Sequence, residues 1–443
     1  MKILWLCNIM PPVIAEALKL PASNKEGWIS GLLEEWKRHR EEAGIELGIC
    51  FPLTPRSISD KVLDELPSEG GLPIVGEAEG ISFYGFFEDT VRPERYDVDL
   101  EKQLAEILES FAPDLVHVFG TEYPHTLAMA RCMKDKSRIL VGLQGLCFRY
   151  ADYYMADLPK WVQRRFLLRD LLKWDNLRIQ QKKYIQRGKA ERETLKSIGH
   201  VTGRTEWDKQ AAAKVNPKVR YHFLNETLRP EFYGPRWDLA NCERNTIFLS
   251  QGNYPIKGLH YLLWALPEIK KRIPDIKVYV AGDEITRYGT LKEKIKIGSY
   301  GSYCRKLIRK SGLQEQVVFL GRLDAAAMCD RFLKSQVFLS PSAIENSPNS
   351  VGEAMLLGMP VVSSSEGGVS SMLQSGEEGL LYPYQDMGAL TEAVCRMLQD
   401  EAFAIDCGRR AAAHAAKTHD GERNYRRLLE IYKEICEGEN GCE

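Results

Sequence analysis

Several features that would mark other classes of protein are missing from this chain, and each absence narrows the field. No apolar run approaches the roughly 20 residues a helix needs to cross a bilayer. The 11 cysteines are scattered and include no C-x-x-C pair, which reads as a reduced, cytoplasmic chain without a zinc site. Two of them, Cys436 and Cys442, fall in a Gly/Glu-rich tail expected to fray. The formal net charge is only −1, which argues against a nucleic-acid partner. No repeat of solenoid period and no low-complexity run interrupts the sequence. The opening Met1-Lys2-Ile3-Leu4-Trp5-Leu6-Cys7 is too short an apolar stretch for a signal peptide and is expected to be a first strand.

What is present is an alternation of apolar strands and amphipathic helices. At 443 residues, 44% hydrophobic and 27% charged, the chain is too long for one core, and two α/β domains are expected. Val337–Val369 organises the rest: strand, loop, helix, strand, loop. Val337-Phe338-Leu339-Ser340 reads as a buried parallel strand ended by Pro341. Ile344–Ser350 is turn chemistry carrying an acid, and Asn349 or Ser350 is expected to cap a helix that Gly358 stops. The helix start favours a phosphate or polar sugar, and Glu345 and Glu353 can face one crevice at a sheet edge. Two carboxylates there suit hydroxyl recognition; two solvated glutamates on a surface helix are the competing reading.

Glu345 and Glu353 with seven residues between them, Ala354, Gly358-Met359-Pro360-Val361-Val362 and Gly367-Gly368 form an ordered set. Pro341-Ser342 precedes it and Glu378-Gly379-Leu380-Leu381-Tyr382-Pro383 follows. Together they resemble the signature of retaining glycosyltransferases of family 4, over roughly Thr246 to Leu398. The resemblance implies a GT-B fold, two Rossmann-like domains facing across a cleft. Residues 1–235, completed by about 420–443, would form the acceptor side. Residues 236–419 would form the donor side, with the C-terminal helix crossing back to the first domain. It further implies a metal-independent hexosyl- or N-acetylhexosaminyl-transferase of polysaccharide or glycoconjugate biosynthesis. Such an enzyme needs no cofactor beyond its co-substrate, a nucleotide-diphosphate sugar, and passes the sugar to a glycan or lipid-linked acceptor. Glu353 would then hold the ribose and Glu345 the transferred sugar. The amides of Asn349, Ser350 and Val351 would lie under the diphosphate, with Ser347 in the same loop.

Lys257-Gly258 is similar to the family's donor-phosphate lysine. A lysine at the mouth of a strand–helix loop can stabilise a diphosphate as it leaves. The family's companion arginine five residues earlier is replaced by Gly252, which shifts the task onto Lys257, loop amides and Arg322. Backbone groups of Arg322 and Leu323, at the end of an expected strand, are placed by the resemblance against the nucleotide base. The charged stretch Glu284–Ser302 is an insertion with no assigned role.

In the N-terminal half, Gly27 either permits close approach to the donor phosphates or simply eases a helix start. Pro113–His125 is an apolar strand ending in Gly120-Thr121-Glu122-Tyr123-Pro124-His125, the polar groups an active-site edge needs. It resembles the family's catalytic-side segment, which puts His125 near the donor sugar and Glu122 beside it; His117, inside the strand, reads as a core histidine. Gln144 offers polar contact only. Arg204 suits a phosphate, or equally a pairing with Glu206 or Asp208. Residues 160–196 carry 12 Lys/Arg against four Asp/Glu, with Trp161, Phe166, Leu171 and Trp174 interleaved. A solvated helix with its tryptophans in the core is the plainer reading; peripheral contact with the inner face of a membrane is the other. Two further readings of the whole chain are a nucleotide-sugar epimerase or hydrolase, and a non-catalytic subunit that binds nucleotide sugar or glycan.

Overall fold

The computed structural model describes residues 1–20, 27–54, 68 and 71–438, so Cys442 and the connection 21–26 lie outside the described residues. The chain divides into two compact units. The first comprises Met1–Arg149, Lys183–Thr227 and Asp420–Glu443; the second comprises Tyr150–Lys182 and Leu228–His419.

The first unit is built on an eight-stranded sheet of order β3-β4-β2-β1-β5-β6-β7-β8. Its strands are β1 (Lys2–Leu6), β2 (Glu46–Leu53), β3 (Ile74–Ala78), β4 (Ile81–Phe87), β5 (Leu115–Phe119), β6 (Ile139–Gly142), β7 (His200–Gly203) and β8 (Arg220–Phe223). Only the β3–β4 pair is antiparallel. The parallel strands read as unbroken apolar runs because helices cover both faces. Leu100, Leu104, Ile107 and Phe111 line one face of the helix Asp99–Phe111 and are all buried. The last helix, Gly421–Glu437, belongs to this unit: Trp5 Nε1 donates to Tyr432 OH at 2.9 Å. His117 is the core histidine its strand position suggests, with Nδ1 2.7 Å from the same hydroxyl and its pKa pushed down to about 3 by burial.

The second unit holds a wholly parallel six-stranded sheet, β11-β10-β9-β12-β13-β14. Its strands are β9 (Glu243–Leu249), β10 (Lys277–Ala281), β11 (Val317–Gly321), β12 (Ser335–Ser340), β13 (Val361–Ser364) and β14 (Leu380–Tyr382). Strand order reverses beside β9, between β10 and β12, the place where open α/β sheets take ligands.

Two expectations need correction. Residues 150–182 go with the second unit, not the first, because named side chains tie them there. His260 Nε2 meets the Ala156 carbonyl at 2.7 Å, Tyr261 OH donates to Asp157 at 2.8 Å, and Tyr153 OH donates to Glu366 at 2.6 Å. Residues 160–196 are also not one helix but three segments, Lys160–Arg164, Leu168–Lys173 and nearly all of Leu177–Ser197. Arg165 is extended and Trp174 is left-handed (φ 48°), which breaks the run twice without a glycine or proline. The tryptophans are not in the core: Trp161 and Trp174 are both exposed.

Candidate active site

In the second unit, two loops laced together bring the expected residues into one place. After β9 the chain turns through Pro255–Lys257 to Gly258, which is left-handed (φ 72°) and starts the helix Leu259–Arg272. A Cβ at Gly258 would stand 1.8 Å from the Pro341 carbonyl oxygen, so only glycine lets the loops after β9 and β12 close on each other. Ala343 N donates to Ile256 O at 2.7 Å across the same seam. The seam sets Lys257 Nζ 2.5 Å from Glu345 Oε1, which also accepts from Ser342 Oγ at 2.8 Å. Glu345 is held from behind: Gly368 N donates to its carbonyl at 2.8 Å, and a Cβ at Gly367 would stand 1.9 Å from that oxygen. Burial works against the Lys257 charge, but Glu345 and the Tyr254 hydroxyl outweigh it, so its pKa is raised and the ammonium persists at neutral pH.

The helix Asn349–Leu357 follows, with Pro348 at its N-cap and no side-chain cap, so neither Asn349 nor Ser350 plays the capping part expected of it. The amide of Val351 is committed to Pro348 O at 2.9 Å, and its side chain is in the core, so that amide does not face a ligand as expected. Ser347 Oγ, by contrast, is buried with no hydrogen-bond partner among the described residues. Glu353 is buried one turn into the helix, and its two oxygens take a bidentate pair from Arg229, Nε at 2.6 Å and Nη2 at 2.8 Å. Burial pushes the Glu353 carboxyl up against the pull of that guanidinium.

Gly252, in place of the companion arginine, is buried; a Cβ there would meet Val280 Cγ1 at 2.9 Å. A side chain has no room at this point, which gives the departure a steric cause. Arg322 does not replace the missing cation at Lys257. Its side chain is exposed and forks onto Asp283, Nε to Oδ1 and Nη2 to Oδ2, both at 2.8 Å. Leu323 packs partly buried against the core of this unit.

In the first unit the polar residues gather at the carboxyl ends of β1, β5, β6, β7 and β8. His125, in the first turn of the helix Pro124–Cys132, is fully buried. Its Nδ1 lies 2.7 Å from Glu88 Oε2, its Nε2 3.0 Å from Asn8 Oδ1, and its ring stacks on Tyr123. Both ring nitrogens thus have partners within this unit. Glu122 Oε1 accepts from Gly145 N at 3.0 Å, while Oε2 is buried without a hydrogen-bond partner among the described residues, and burial raises its pKa. Gln144 Nε2 donates to Glu226 at 2.5 Å, and Arg204 Nη1 to the same carboxylate at 2.7 Å. Arg204 therefore pairs with Glu226 rather than with Glu206 or Asp208. The three line a cavity of about 40 Å³ with Phe119, Thr202 and Leu224. Gly27 begins the helix Gly27–Ala43.

Sequence reasoning assigned no role to Arg229, Glu226, Glu88, Asn8 or Glu191. Glu191, buried in mid-helix, accepts from Thr121 Oγ1 and from Phe148 N at 2.9 Å, and burial pushes it up to about 8. An acid whose folded pKa exceeds its unfolded value, about 4.3, binds more protons folded. Its contribution is therefore largest near or below pH 4 and is lost as pH rises toward 8. Melting curves from pH 5 to 8 should show the wild type losing on the order of 3 kcal/mol relative to Glu191→Gln. Parallel curves would remove the assignment.

Comparison with known proteins agrees with this architecture. Residues 243–400 match the family described as Glycosyl transferases group 1. The chain is 27% identical over 186 residues, 41% of each sequence, to a D-inositol 3-phosphate glycosyltransferase of Corynebacterium urealyticum. It is 23% identical over 344 residues, 77% of this chain and 76% of the relative, to the amylovoran biosynthesis glycosyltransferase AmsK of Erwinia amylovora. The matched stretch spans less than half the length of the first two relatives. Among solved structures, Anabaena Alr3699/HepE in complex with UDP and glucose superposes with a TM-score of 0.62 at 16% identity, covering 97% of this chain and 99% of the other. The fold is GT-B.

Proposed function

We propose that the chain is a retaining glycosyltransferase that moves a hexosyl or N-acetylhexosaminyl group from a nucleotide-diphosphate sugar to a glycan or lipid-linked acceptor. It would serve polysaccharide or glycoconjugate biosynthesis on the cytoplasmic side. The observation that carries the reading is the meeting of Lys257, Ser342 and Glu345 just ahead of the helix Asn349–Leu357, at the switch point of the second sheet. As the bond from the sugar's anomeric carbon to phosphate oxygen breaks, charge gathers on the diphosphate. A fixed ammonium and a helix N-terminus meet that charge without a divalent cation, and they favour the transition state over the ground state. The acceptor hydroxyl attacks the same face, passing its proton to the departing phosphate.

In this reading Glu345 contacts the transferred sugar, and Glu353, oriented by Arg229, receives the ribose hydroxyls. Ser347 and the amides of Asn349 and Ser350 meet the diphosphate. The backbone at Arg322 and Leu323 faces the base. Glu122, Gln144, Arg204 and Gly27 serve the acceptor side. Thermal-shift titration with uridine and guanosine diphosphate sugars should stabilise the protein with one base class. Transfer should then follow over an acceptor panel. Epimer or free sugar from donor alone would favour an epimerase or hydrolase, and binding without any turnover a non-catalytic subunit.

A further inference from the structure

The segment 160–178 and the stretch 284–306, which takes in the charged insertion Glu284–Ser302, are left unused by the transfer chemistry, and the structure joins them. The helix Leu168–Lys173 packs beside the helix Leu291–Lys296, and Lys160–Arg164 beside Ser299–Lys310. Ser299 Oγ donates to Asp170 at 2.7 Å and to the Arg165 carbonyl at 3.1 Å, and Arg165 donates to Ser302 at 3.2 Å. Trp161 sits edge-on to Tyr303, and Lys306 Nζ lies 4.7 Å over the Trp161 ring. Two regions distant in sequence thus form one platform within the second unit.

Its outer surface has a composition a water-facing surface does not need. Trp161, Phe166, Leu168, Leu171, Leu172 and Trp174 are all exposed, Leu172 by 72% and Trp174 by 70%. The rings of Phe166 and Trp174 lie 6.4 Å apart, and Leu291 on the neighbouring helix is 76% exposed. Single exposed apolar residues are ordinary, but a cluster of large ones marks an interaction surface. The charges around it have one sign. Lys160, Arg164, Lys173 and Arg178 are exposed on the first segment, and Lys292, Lys294, Lys296 and Lys306 on the second. None of the acids of these two stretches is among the exposed side chains: Glu284, itself half-buried, accepts from Arg287 Nε at 2.7 Å. Asp170 is buried under Leu167 N and Ser299 Oγ, Asp175 is half-buried beside Gln180, and Glu293 accepts from Gly289 N and Thr290 N.

We infer that this platform docks the chain on an anionic bilayer, with Trp174, Leu172 and their neighbours entering the headgroup boundary and the surrounding lysines and arginines meeting lipid phosphates. Tryptophan at an interface and cations around an apolar centre are what such a surface requires. The inference stands apart from the transfer reading, since the platform can bind lipid whether or not the chain is catalytic.

Co-sedimentation of the full chain tests it, with vesicles of phosphatidylcholine alone and of phosphatidylcholine mixed with phosphatidylglycerol. Binding is expected to the mixed vesicles only, and to weaken as salt rises. Leu172→Ser with Trp174→Ser should lower the partition by at least roughly tenfold. Lys173→Ala with Lys292→Ala should lower it about twenty-fold and flatten the salt dependence. All four side chains are exposed, so melting temperatures should hold and a loss cannot be put down to unfolding. Absence of sedimentation, equal binding to both vesicle types, or wild-type binding by either double variant would overturn the inference. So would self-association in light scattering that the Leu172→Ser, Trp174→Ser variant abolishes without any vesicle binding by the wild type, because the surface would then belong to a second copy.

Discussion

Lys257→Ala is expected to lower kcat by roughly 10²- to 10³-fold, while donor affinity falls by less than about tenfold. The split follows from what the ammonium faces. Before reaction it is already balanced by Glu345 at 2.5 Å, and a ground-state diphosphate adds a diffuse charge shared with the helix start. As the bond to the sugar breaks, an extra negative charge localises on the phosphate, and a preorganised cation is then worth most. The raised pKa rules out Lys257 as a base at neutral pH, so its effect should be flat with pH. Removing it also leaves the buried Glu345 carboxylate without its cation, with Ser342 Oγ still donating to it, which costs stability. Lys257→Met, which keeps the packing volume, together with a melting curve, separates that loss from the kinetic one. Donor affinity falling as far as turnover would reduce Lys257 to a ground-state contact; unchanged turnover would remove it from the chemistry.

Much of this site was legible because its parts are local. The apolar run at Val337–Ser340, the helix that Gly358 ends and the Lys257-Gly258 pair each follow from a few neighbouring residues, and the structure holds them as β12, the helix Asn349–Leu357 and the turn before Leu259. What was hidden is pairing over distance. Arg229 lies 124 positions from Glu353, and nothing near it in sequence marks a guanidinium destined for a buried carboxylate. Arg204 had two acids close by in sequence, yet Glu226 on the neighbouring strand's exit takes it, because parallel strands bring their carboxyl ends together. β3 was hidden for another reason. Gly76 and Glu77 dilute its apolar pattern, and Gly76 is needed because a Cβ there would fall 2.5 Å from the Phe83 ring across the antiparallel pair. The break at Trp174 carries no glycine or proline; its signal is Asp175-Asn176, where Asn176 Oδ1 accepts from Ile179 N at 2.9 Å to start the next helix, and the basic run around it concealed an exposed corner.

The Arg229–Glu353 pair gives the second large expectation, and here stability and recognition should come apart. Arg229→Ala leaves a buried carboxylate without its cation, and the loss should be on the order of 3–5 kcal/mol, read as a fall in melting temperature. The carboxyl is already pushed up by burial with the guanidinium present, so without it the group should hold a proton to still higher pH. The defect of Arg229→Ala should therefore deepen as pH rises and ease as it falls. Glu353→Ala should cost less stability, since Arg229 is partly exposed and can turn to water, but should weaken nucleotide-sugar binding more than tenfold, roughly the worth of a charged hydrogen bond to hydroxyls. The double variant Arg229→Met, Glu353→Leu removes both charges together and should recover most of the stability lost in Arg229→Ala, because replacing a buried ion pair with apolar groups is often neutral. It should not recover donor binding. Calorimetry finding wild-type donor affinity in the folded double variant would show that the pair is a structural strut and that the ribose is held elsewhere. Affinity lost in Glu353→Ala and still lost in the stable double variant would tie the carboxylate itself to the nucleotide.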